Sequence, residues 1–447
     1  MEHCDTLILP RWIVPVAPAG TVLEAHAVAV SEGRITAVLP AAEARARFQP
    51  SVLVERPDHV LIPGLVNAHT HAAMTLLRGF ADDLSLESWL RERIWPAESR
   101  WVSAEMVRDG TELAMAEMLR GGTTCFADQY FFPEIVAEAA ADLSMRAVVA
   151  TPVVDFPTVW ARNAEEYLQK ASDLVHDPYA GHPLVSTAFA PHSTFALSDA
   201  SFAALRVLAD QLDIRVQMHL HETAAEVQNS LRETGKRPFD RLADAGLINS
   251  SLLAVHCVHL NEDEIGRFAE AGVSIAHCPS SNLKLASGVA PVDKFRDAGL
   301  NVALGSDSAA SNNVLDLFTE MRSAALLAKA ASGDATAVTA SEALHMATLG
   351  GARGLGLEST IGSIETGKLA DLACIDFNRV NTQPVYDVIS QIVYATHQDQ
   401  VSDVWVGGKH QLDNGHFAHI VEDDLIARAN EWRDRIVTST HKSQVPG

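Results

Sequence analysis

The sequence contains few cysteines, a deficit of positive charge and no long apolar run. Only five of its 447 residues are cysteines, and none forms a C-x-x-C pair. A disulfide framework and a zinc finger are therefore excluded, and we expect reduced thiols in a cytoplasmic protein. Lys and Arg total 34 against 57 Asp and Glu, which gives a formal net charge of -23. So acidic a chain disfavours nucleic-acid and anionic-membrane partners, because both attract basic patches.

Membrane spans and several catalytic signatures are missing as well. No apolar stretch reaches the roughly 18 residues that a transmembrane helix needs. Asp5 and Arg11 interrupt the apolar N-terminal segment, so we expect no signal peptide. The sequence has neither H-E-x-x-H nor the paired-cysteine deaminase signature, and it has no P-loop or dinucleotide fingerprint. The glycine-rich stretch Gly350–Gly354 follows a helix-like segment, so we interpret it as a helix C-cap and turn.

Short apolar runs alternate with helix-like segments through the middle of the chain. Eight of these runs have the length and composition of buried strands. They are Leu61–Asn67, Thr123–Ala127, Ala147–Val154, Leu184–Ala190, Ile214–Met218, Leu252–Val255, Val273–Ala276 and Val302–Leu304. Alternating strands and helices are typical of parallel βαβ units. Eight units predict a (β/α)8 TIM barrel, whose active site lies at the carboxyl ends of the strands.

The two ends of the chain have a different character. Both contain short strand-like runs rich in β-branched residues, with little helical periodicity before the last segment. Each end alone is too short to bury a core. We therefore predict that residues 1–62 and 367–447 pair into one small composite β-sandwich domain, and that residues 63–366 form the barrel.

Polar residues follow every predicted strand of the barrel. In chain order they are His69 and His71, Asp128, Asp155, His192, His219 with Glu222, His256, His277 and Asp307. Zinc ligands must converge within about 2.0–2.2 Å of one point, and the strand ends of a barrel can bring them there. One histidine pair is a weak signal among 19 histidines. The whole set at successive strand ends predicts a metal-dependent site.

The spacing of the histidines indicates how they face. At a strand end, residues i and i+2 lie on the same side, so His69 and His71 can both face the barrel mouth. His219 and Glu222 are less constrained, because the strand ends between them. Glu222 begins the next helix-like segment, where it either points inward as an acid beside the metal or complements the helix dipole.

Motifs along essentially the whole chain resemble those of the amidohydrolase superfamily. The matching segments are P-G-L-V-N-A-H-T-H at 63–71, H-L-H-E at 219–222, G-S-D-S at 305–308 and G-S-I-E-T-G-K-L-A-D-L at 362–372. The resemblance implies a barrel that uses metal-activated water, with an accessory β-sandwich. No lysine stands near the fourth strand, where binuclear members carry a carboxylated one, so one metal ion is implied.

Within that superfamily the chain resembles the 5-methylthioadenosine/S-adenosylhomocysteine deaminases, through residues 71–79, 95–98, 190–193 and 311–313. The ligands that this resemblance implies for one Zn²⁺ per subunit, with Fe²⁺ as the alternative, are His69, His71, His219 and Asp307. It also implies that Glu98 holds the ribose hydroxyls and that His192 contacts the substrate. Those deaminases can use arginines after the third strand, where this chain has only Arg162, so the preferred nucleoside stays open.

The implied reaction is hydrolytic removal of the 6-amino group of adenine nucleosides, which converts 5′-methylthioadenosine and S-adenosylhomocysteine to their inosine analogues. Asp307 would accept the proton of the attacking water, and His256 would orient that water. Glu222 would protonate the ring nitrogen beside the attacked carbon, so we expect a raised pKa for it. Both Glu222 and Asp307 would thereby contact the substrate.

Other functions remain open at this stage. Guanine or 8-oxoguanine deamination and triazine dechlorination use the same scaffold and differ in the group that leaves. A non-enzymatic barrel is disfavoured, because the set of metal ligands is intact. Trp89, Trp95 and Trp101 lie in the long connection after the first strand, where they either fill the core or form a wall for the substrate. We expect a homo-oligomer, a dimer or a tetramer.

Overall fold

The computed structural model describes residues 1–442 of the chain. The N-terminal strands are β1 (Glu2–Ile13), β2 (Leu23–Glu24), β3 (His26–Ser31), β4 (Arg34–Pro40) and β5 (Phe48–Pro63). The central strands are β6 (Leu65–Thr70), β7 (Thr123–Gln129), β8 (Arg146–Val153), β9 (Val185–Pro191), β10 (Arg215–Leu220), β11 (Leu252–His256), β12 (Ser274–His277) and β13 (Asn301–Leu304). The C-terminal strands are β14 (Leu372–Asp376), β15 (Val401–Val406), β16 (Lys409–Asp413) and β17 (His416–Phe417).

Helices fill most of the connections. They are α1 (Ala41–Arg47), α2 (Leu86–Ser88), α3 (Trp95–Trp101), α4 (Ala104–Arg120), α5 (Pro133–Asp142), α6 (Ala164–Lys170), α7 (Asp177–Tyr179), α8 (Asp199–Leu212), α9 (Ala224–Thr234), α10 (Pro238–Asp244), α11 (Glu262–Ala271), α12 (Pro279–Lys284), α13 (Val292–Asp297), α14 (Leu317–Ser332), α15 (Ala340–Met346), α16 (Leu349–Gly354), α17 (Val388–Tyr394) and α18 (Glu422–Lys442). Short 3-10 segments (Ala72–Leu77, Val380–Thr382, Gln398–Gln400) and π segments (Trp89–Ile94, Ala171–His176) complete the helical structure. Among residues 1–442, no helix is long and apolar enough to cross a bilayer.

Strands β6 to β13 form one eight-stranded parallel sheet in chain order. A bridge between Thr70 and Asp307, which follows β13, brings the last strand beside the first, so the sheet closes into a barrel. The interior is packed with small residues such as Ala127 and Ala150, whereas the alternating Phe126 and Val149 pack against the helices. This period of two is typical of a filled barrel. The predicted fold class, a (β/α)8 barrel with a β domain from both chain ends, is confirmed.

Strands from both chain ends share a second, mixed sheet. Strand β5 pairs in parallel with β1 and antiparallel with β14, so the chain enters and leaves the barrel through neighbouring strands. The sheet curls so that the turn between β3 and β4 meets the turn between β15 and β16. A Cβ on Gly33, in the first turn, would lie 2.6 Å from the carbonyl oxygen of Gly407, in the second. Glycine is required there, because Gly33 also has a φ of +75°. The division of the chain at residues 62 and 366 stays a prediction.

Two sequence interpretations were wrong in detail. The run Leu61–Asn67 is not one strand, because Gly64 separates β5, which belongs to the mixed sheet, from β6, which belongs to the barrel. A Cβ on Gly64 would lie 2.1 Å from Oγ1 of Thr124, so only glycine allows this crossing. The stretch Gly350–Gly354 is not a turn but most of helix α16, whose Gly351 lets the helix backbone approach Val66 of β6 closely.

A buried ion pair joins the barrel to the mixed sheet. The guanidinium group of Arg146, on β8, donates to both carboxylate oxygens of Asp371, at 2.8 and 3.0 Å. Asp371 also accepts a hydrogen bond from the backbone N–H of Gly407, at 2.7 Å. Both charged side chains are almost fully buried, so their pairing fixes how the two sheets are joined.

Candidate active site

Three histidines meet at the carboxyl ends of the barrel strands. His69 lies on β6, His71 directly follows that strand, and His219 lies on β10. One ring nitrogen of each histidine lies within 4.8 Å of those of the other two. The carboxylate of Asp307 joins them, with Oδ1 at 3.6 Å from Nε2 of His69 and 3.3 Å from Nε2 of His71. The four residues that the sequence predicts as metal ligands are thus brought together.

Hydrogen bonds to the barrel backbone fix the orientation of two of these rings. Nδ1 of His71 donates to the carbonyl oxygen of Gln129 at 2.6 Å, and Nδ1 of His219 donates to that of His192 at 2.9 Å. Each ring therefore directs its Nε2 to the centre of the cluster. The amide nitrogen of Gln217 lies 2.6 Å from Nδ1 of His69. With the carboxamide turned by 180°, its oxygen would accept from Nδ1 and Nε2 of His69 would be left for the cluster.

The Asp307 carboxylate is aimed in a similar way. Its Oδ2 accepts hydrogen bonds from the hydroxyls of Ser281, at 2.5 Å, and Ser311, at 3.0 Å, which leaves Oδ1 toward the histidines. The backbone N–H of Asp307 donates to the carbonyl oxygen of His69 at 3.0 Å. Asp307 has a φ of 58°, in the sparsely populated left-handed region, so the surrounding contacts hold its backbone in a costly conformation.

The cluster fits a metal cation. Nε2 of His69 and Nε2 of His219 lie 3.1 Å apart, a separation that suits two ligands of one cation. Burial lowers the pKa of His69 to about 4 and that of His219 well below its usual value, so both rings are neutral and free to bind. Three imidazoles and one carboxylate suit Zn²⁺.

Glu222 lies beside this centre together with His256. Oε2 of Glu222 lies 3.8 Å from Nε2 of His256, and its Oε1 accepts a weak hydrogen bond from Ser287 at 3.4 Å. Burial raises the pKa of the Glu222 carboxyl, as expected for an acid that must carry a proton. Nδ1 of His256 donates to Oδ1 of Asn282 at 2.9 Å, which leaves Nε2 as an acceptor toward the site. Of the two orientations considered for Glu222, the structure has the inward one.

Glu98 approaches the mouth from helix α3. Its carboxylate accepts a hydrogen bond from the hydroxyl of Tyr130 at 2.8 Å. The Tyr130 ring in turn contacts the ring of His71, with their centroids 6.5 Å apart. Burial raises the pKa of Glu98 to about 7, although the Tyr130 hydrogen bond opposes this shift. A surface helix charge would not be perturbed in this way, so the structure favours a site residue.

His192 connects the histidine cluster to the rim of the barrel. Its ring centroid lies 5.1 Å from that of His219 and 6.5 Å from that of Phe195, which is 62% exposed. Three rings thus lead from the buried centre to solvent. Burial lowers the pKa of His192 to about 4, so its imidazole is neutral.

Several polar residues at strand ends have other roles. His221 turns away from the centre, and its Nε2 accepts a hydrogen bond from the backbone N–H of Phe239 at 3.0 Å. Asp155, which follows β8, accepts hydrogen bonds from the backbone N–H of Ser198 and the hydroxyl of Ser201 at the start of α8. Asp128 braces the segment after β6 by accepting from the backbone N–H of Ala72 at 2.5 Å.

Two further features bear on the substrate cavity. Arg162, near the third barrel strand in sequence, is 84% exposed and pairs at 2.7 Å with Glu166, in the first turn of α6. Among the tryptophans of the first connection, Trp89 is buried in the core and Trp95 is 39% exposed. Core packing therefore accounts for Trp89, and Trp95 is free to face a ligand.

Sequence reasoning missed the residues that orient the ligands. Gln217 lies two residues before His219 on β10, so the period of two indicates that it faces the barrel interior. Ser281, Ser311 and Asn282 lie in segments after strand ends, where no periodicity indicates direction. Tyr130 directly follows β7, and its hydrogen bond to Glu98 depends on a helix that is distant in sequence.

Fold and site together define a metal-dependent barrel hydrolase, and comparison with known proteins agrees. The model of the amidohydrolase family matches residues 60–410. A 5-methylthioadenosine/S-adenosylhomocysteine deaminase of Teredinibacter turnerae is 45% identical over 428 residues, which cover 95% of this chain and 96% of the relative. One of the same name from Saccharophagus degradans is 41% identical over 97% of both chains. The chain belongs to the amidohydrolase family, as the resemblance of its motifs implies.

Solved structures lead to the same fold. The crystal structure of an adenosine deaminase from Xanthomonas campestris with bound zinc superimposes with a TM-score of 0.97 at 52% identity, over 98% of this chain and 99% of that one. The zinc complex of an atrazine chlorohydrolase from Arthrobacter aurescens gives a TM-score of 0.90 at 24% identity, over 96% and 99% of the two chains. This second likeness concerns the fold alone.

Proposed function

We propose that this protein is a zinc-dependent deaminase that removes the 6-amino group of adenine nucleosides, including 5′-methylthioadenosine and S-adenosylhomocysteine. The observation that carries the proposal is the position of Glu222, a buried carboxyl with a raised pKa, 3.8 Å from His256 at the edge of the histidine cluster. The names of the relatives from Teredinibacter and Saccharophagus support the nucleoside class. The zinc-bound adenosine deaminase supports the metal.

The proposed ligands of the metal are His69, His71, His219 and Asp307. When bound there, Zn²⁺ supplies a Lewis acid that lowers the pKa of water from 15.7 to about 7. Asp307 is placed to accept the proton of the attacking water, because its Oδ1 is the carboxylate oxygen that faces the cluster. His256 is placed to accept a hydrogen bond from the same water through its free Nε2.

Glu222 is the proposed acid for the purine ring. As water adds to C6, N1 gains basicity, and a protonated Glu222 can give it a proton. The exocyclic nitrogen would then take the proton that Asp307 received from the water, the bond between C6 and this nitrogen would break, and ammonia would leave. The proton on the new C6 oxygen would return to Glu222 as that oxygen becomes a carbonyl. The raised pKa of Glu222 favours the protonated form that the proton transfer to N1 needs.

The substrate-binding residues are proposed from their places around this centre. Glu98 would accept hydrogen bonds from ribose hydroxyls, and His192 would contact the nucleoside between the centre and the rim. The 5′ substituent would lie beside Phe195 and Phe156, which are 62% and 52% exposed. The loops that carry them are tied by a hydrogen bond of 3.0 Å from the N–H of Asp155 to the carbonyl of Ala196. Since Arg162 faces solvent, this apolar rim favours the neutral thioether of methylthioadenosine over a charged amino-acid tail.

The other reactions have less support. The likeness to the atrazine chlorohydrolase and to a guanine deaminase of Escherichia coli, at 24% and 22% identity, concerns the fold only. Neither substrate carries a ribose, so neither would use Glu98. Fe²⁺ remains the alternative metal for the same ligand set.

The test is a substrate panel with the zinc-loaded protein, in which ammonia release and ultraviolet absorbance are both followed. Adenosine, 5′-methylthioadenosine and S-adenosylhomocysteine should be deaminated. Guanine and atrazine should show kcat/KM values lower by a factor on the order of 100 or more. Preferred turnover of guanine or atrazine would contradict the proposal.

Location and assembly are part of the proposal as well. We propose that the enzyme acts in the cytoplasm as a dimer or a tetramer. All five cysteines are free and buried, as suits a reducing compartment. Light scattering with the purified protein would give the oligomeric state directly.

A further inference from the structure

Glu226 is a second carboxyl group next to the proposed acid. It stands in the first turn of α9, whose N-cap Thr223 accepts the backbone N–H of Glu226 at 3.1 Å. Its own Oε2 accepts the backbone N–H of Glu222 at 2.8 Å. The N–H groups of His221 and Thr223 also stabilise the carboxylate, although only that of Glu222 has good hydrogen-bond geometry.

The surroundings of Glu226 are unusual for a residue that only caps a helix. Capping carboxylates are normally solvated, but Glu226 is half-buried, and its Oε1 is buried without a hydrogen-bond partner among residues 1–442. Burial raises its pKa to about 8. The pKa of Cys257, the residue after His256, is raised mainly by the burial of its thiol and to a smaller extent by the charge of Glu226. The Glu226 side chain is therefore held at a cost in solvation.

The backbone between His219 and Glu222 needs such support. Strand β10 ends at Leu220, and His221 has a φ of 52°, so the sheet no longer fixes the direction of the chain where Glu222 leaves it. The carbonyl oxygen of His221 still accepts a hydrogen bond from the N–H of His259 at 3.0 Å. The next backbone group along the chain, the N–H of Glu222, is held by the side chain of Glu226 instead. A small rotation there would move the Glu222 carboxyl away from the ring nitrogen that it must protonate.

We propose that Glu226 is a positioning residue, whose carboxylate holds the backbone of Glu222 so that the acid faces the substrate. This inference rests on the proposed deaminase function. Glu226 itself touches neither the substrate nor the reacting atoms. Its effect should appear in kcat, because the position of the acid matters in the transition state, and much less in KM.

The test compares Glu226→Ala with Glu226→Gln on 5′-methylthioadenosine. The alanine variant loses the acceptor of the Glu222 N–H, and we expect kcat to fall by a factor on the order of ten, with KM within about twofold and full zinc content. The glutamine variant keeps an acceptor oxygen at the same reach, so it should restore kcat to within about threefold. Glu233→Ala is the matched control, since Glu233 is an exposed acid on the same helix.

Each outcome is decisive. An alanine variant with near wild-type kcat, or a glutamine variant as slow as the alanine variant, would overturn the role of the hydrogen bond. If Glu226→Ala fails to fold, Glu226→Asp takes its place in the comparison with Glu226→Gln. The aspartate side chain is one methylene shorter, so its carboxylate should no longer reach the N–H of Glu222 and turnover should be slower. A wild-type protein that deaminates no nucleoside would reject the proposed function, and this inference with it.

Discussion

Nε2 of His69 and Nε2 of His219 face each other at 3.1 Å, although one lies on the first barrel strand and the other on the fifth. With Nδ1 protonated on both rings, the two nitrogens present their lone pairs to the same point, as ligands of one cation do. This relationship makes metal content the most direct readout of the proposed site.

Loss of two ligands should therefore remove the metal. We expect the double variant His69→Ala, His71→Ala to bind no zinc by elemental analysis and to lose turnover by a factor of about 1,000 or more. The control is His221→Gln, which alters the histidine that bonds the Phe239 N–H instead of facing the cluster. It should keep its zinc while its melting temperature falls. Full zinc occupancy in the double variant would refute the ligand assignment.

Replacement of the proposed acid should separate metal binding from chemistry. Glu222→Gln should keep its zinc and lose kcat by a factor of roughly 100 to 10,000, because the amide cannot protonate the ring. In the wild-type enzyme the acid must be protonated, so kcat should fall as the pH rises through the raised pKa of Glu222. A Gln variant with near wild-type turnover would show that another group supplies the proton.

The eight barrel strands could be predicted from the sequence, because short apolar runs are a local property. The metal-ligand set was implied by the resemblance to the amidohydrolase motifs, and the structure brings those four residues together. The boundaries agree to within one or two residues, apart from the crossing at Gly64. The crossing at Gly64 could not be predicted, because the need for glycine there comes from a close contact with Thr124, which is distant in sequence.

Side chains that come after a strand end were harder to predict. Asp155 and His192 both follow strands, yet Asp155 caps a helix and His192 reaches the cluster. Beyond the last ladder hydrogen bond no periodicity sets direction, and the outcome depends on contacts with other loops. His256 and Asp307 also take left-handed backbone conformations, with φ of 69° and 58°, which no local pattern indicates for these residue types.

Glu98 gives the enzyme a pH dependence of its own. Its pKa is about 7, and only its ionised form accepts hydrogen bonds from both ribose hydroxyls. We therefore expect kcat/KM for adenosine to fall as the pH drops through about 7, and Glu98→Gln to lack this change. 2′,3′-Dideoxyadenosine is the control substrate, because it has no hydroxyls for Glu98 to bind. An equal pH response with both substrates would contradict the assignment.

Phe195 should decide which 5′ substituents are accepted. We expect Phe195→Ala to raise KM for 5′-methylthioadenosine by about three- to tenfold and to change KM for adenosine by less than twofold, since only the former buries a methylthio group against the ring. Arg162→Ala, at a solvent-exposed position, should leave both values unchanged. An equal effect of Phe195→Ala on the two substrates would place the substituent elsewhere.

The ion pair between barrel and mixed sheet should matter for stability and not for chemistry. Asp371→Ala leaves the buried guanidinium of Arg146 unpaired, so we expect a loss of about 3–5 kcal/mol in the free energy of unfolding, measured by urea denaturation. Glu2→Ala removes a solvent-exposed partner of Arg47 and should leave the denaturation midpoint unchanged. An Asp371 variant as stable as the wild type would show that the two sheets are joined by other contacts.

The pairing of β5 with β14 has a consequence for biosynthesis. Ile62 and Ala373, which are partners in this ladder, are roughly 310 residues apart, with the whole barrel between them. While the ribosome makes the barrel, one edge of β5 has no partner, because β14 has not yet been made. An unpaired strand edge can pair with other chains. We therefore expect the nascent chain to be most prone to aggregation before β14 emerges, and we expect the C-terminal strands to protect the N-terminal ones once they are made.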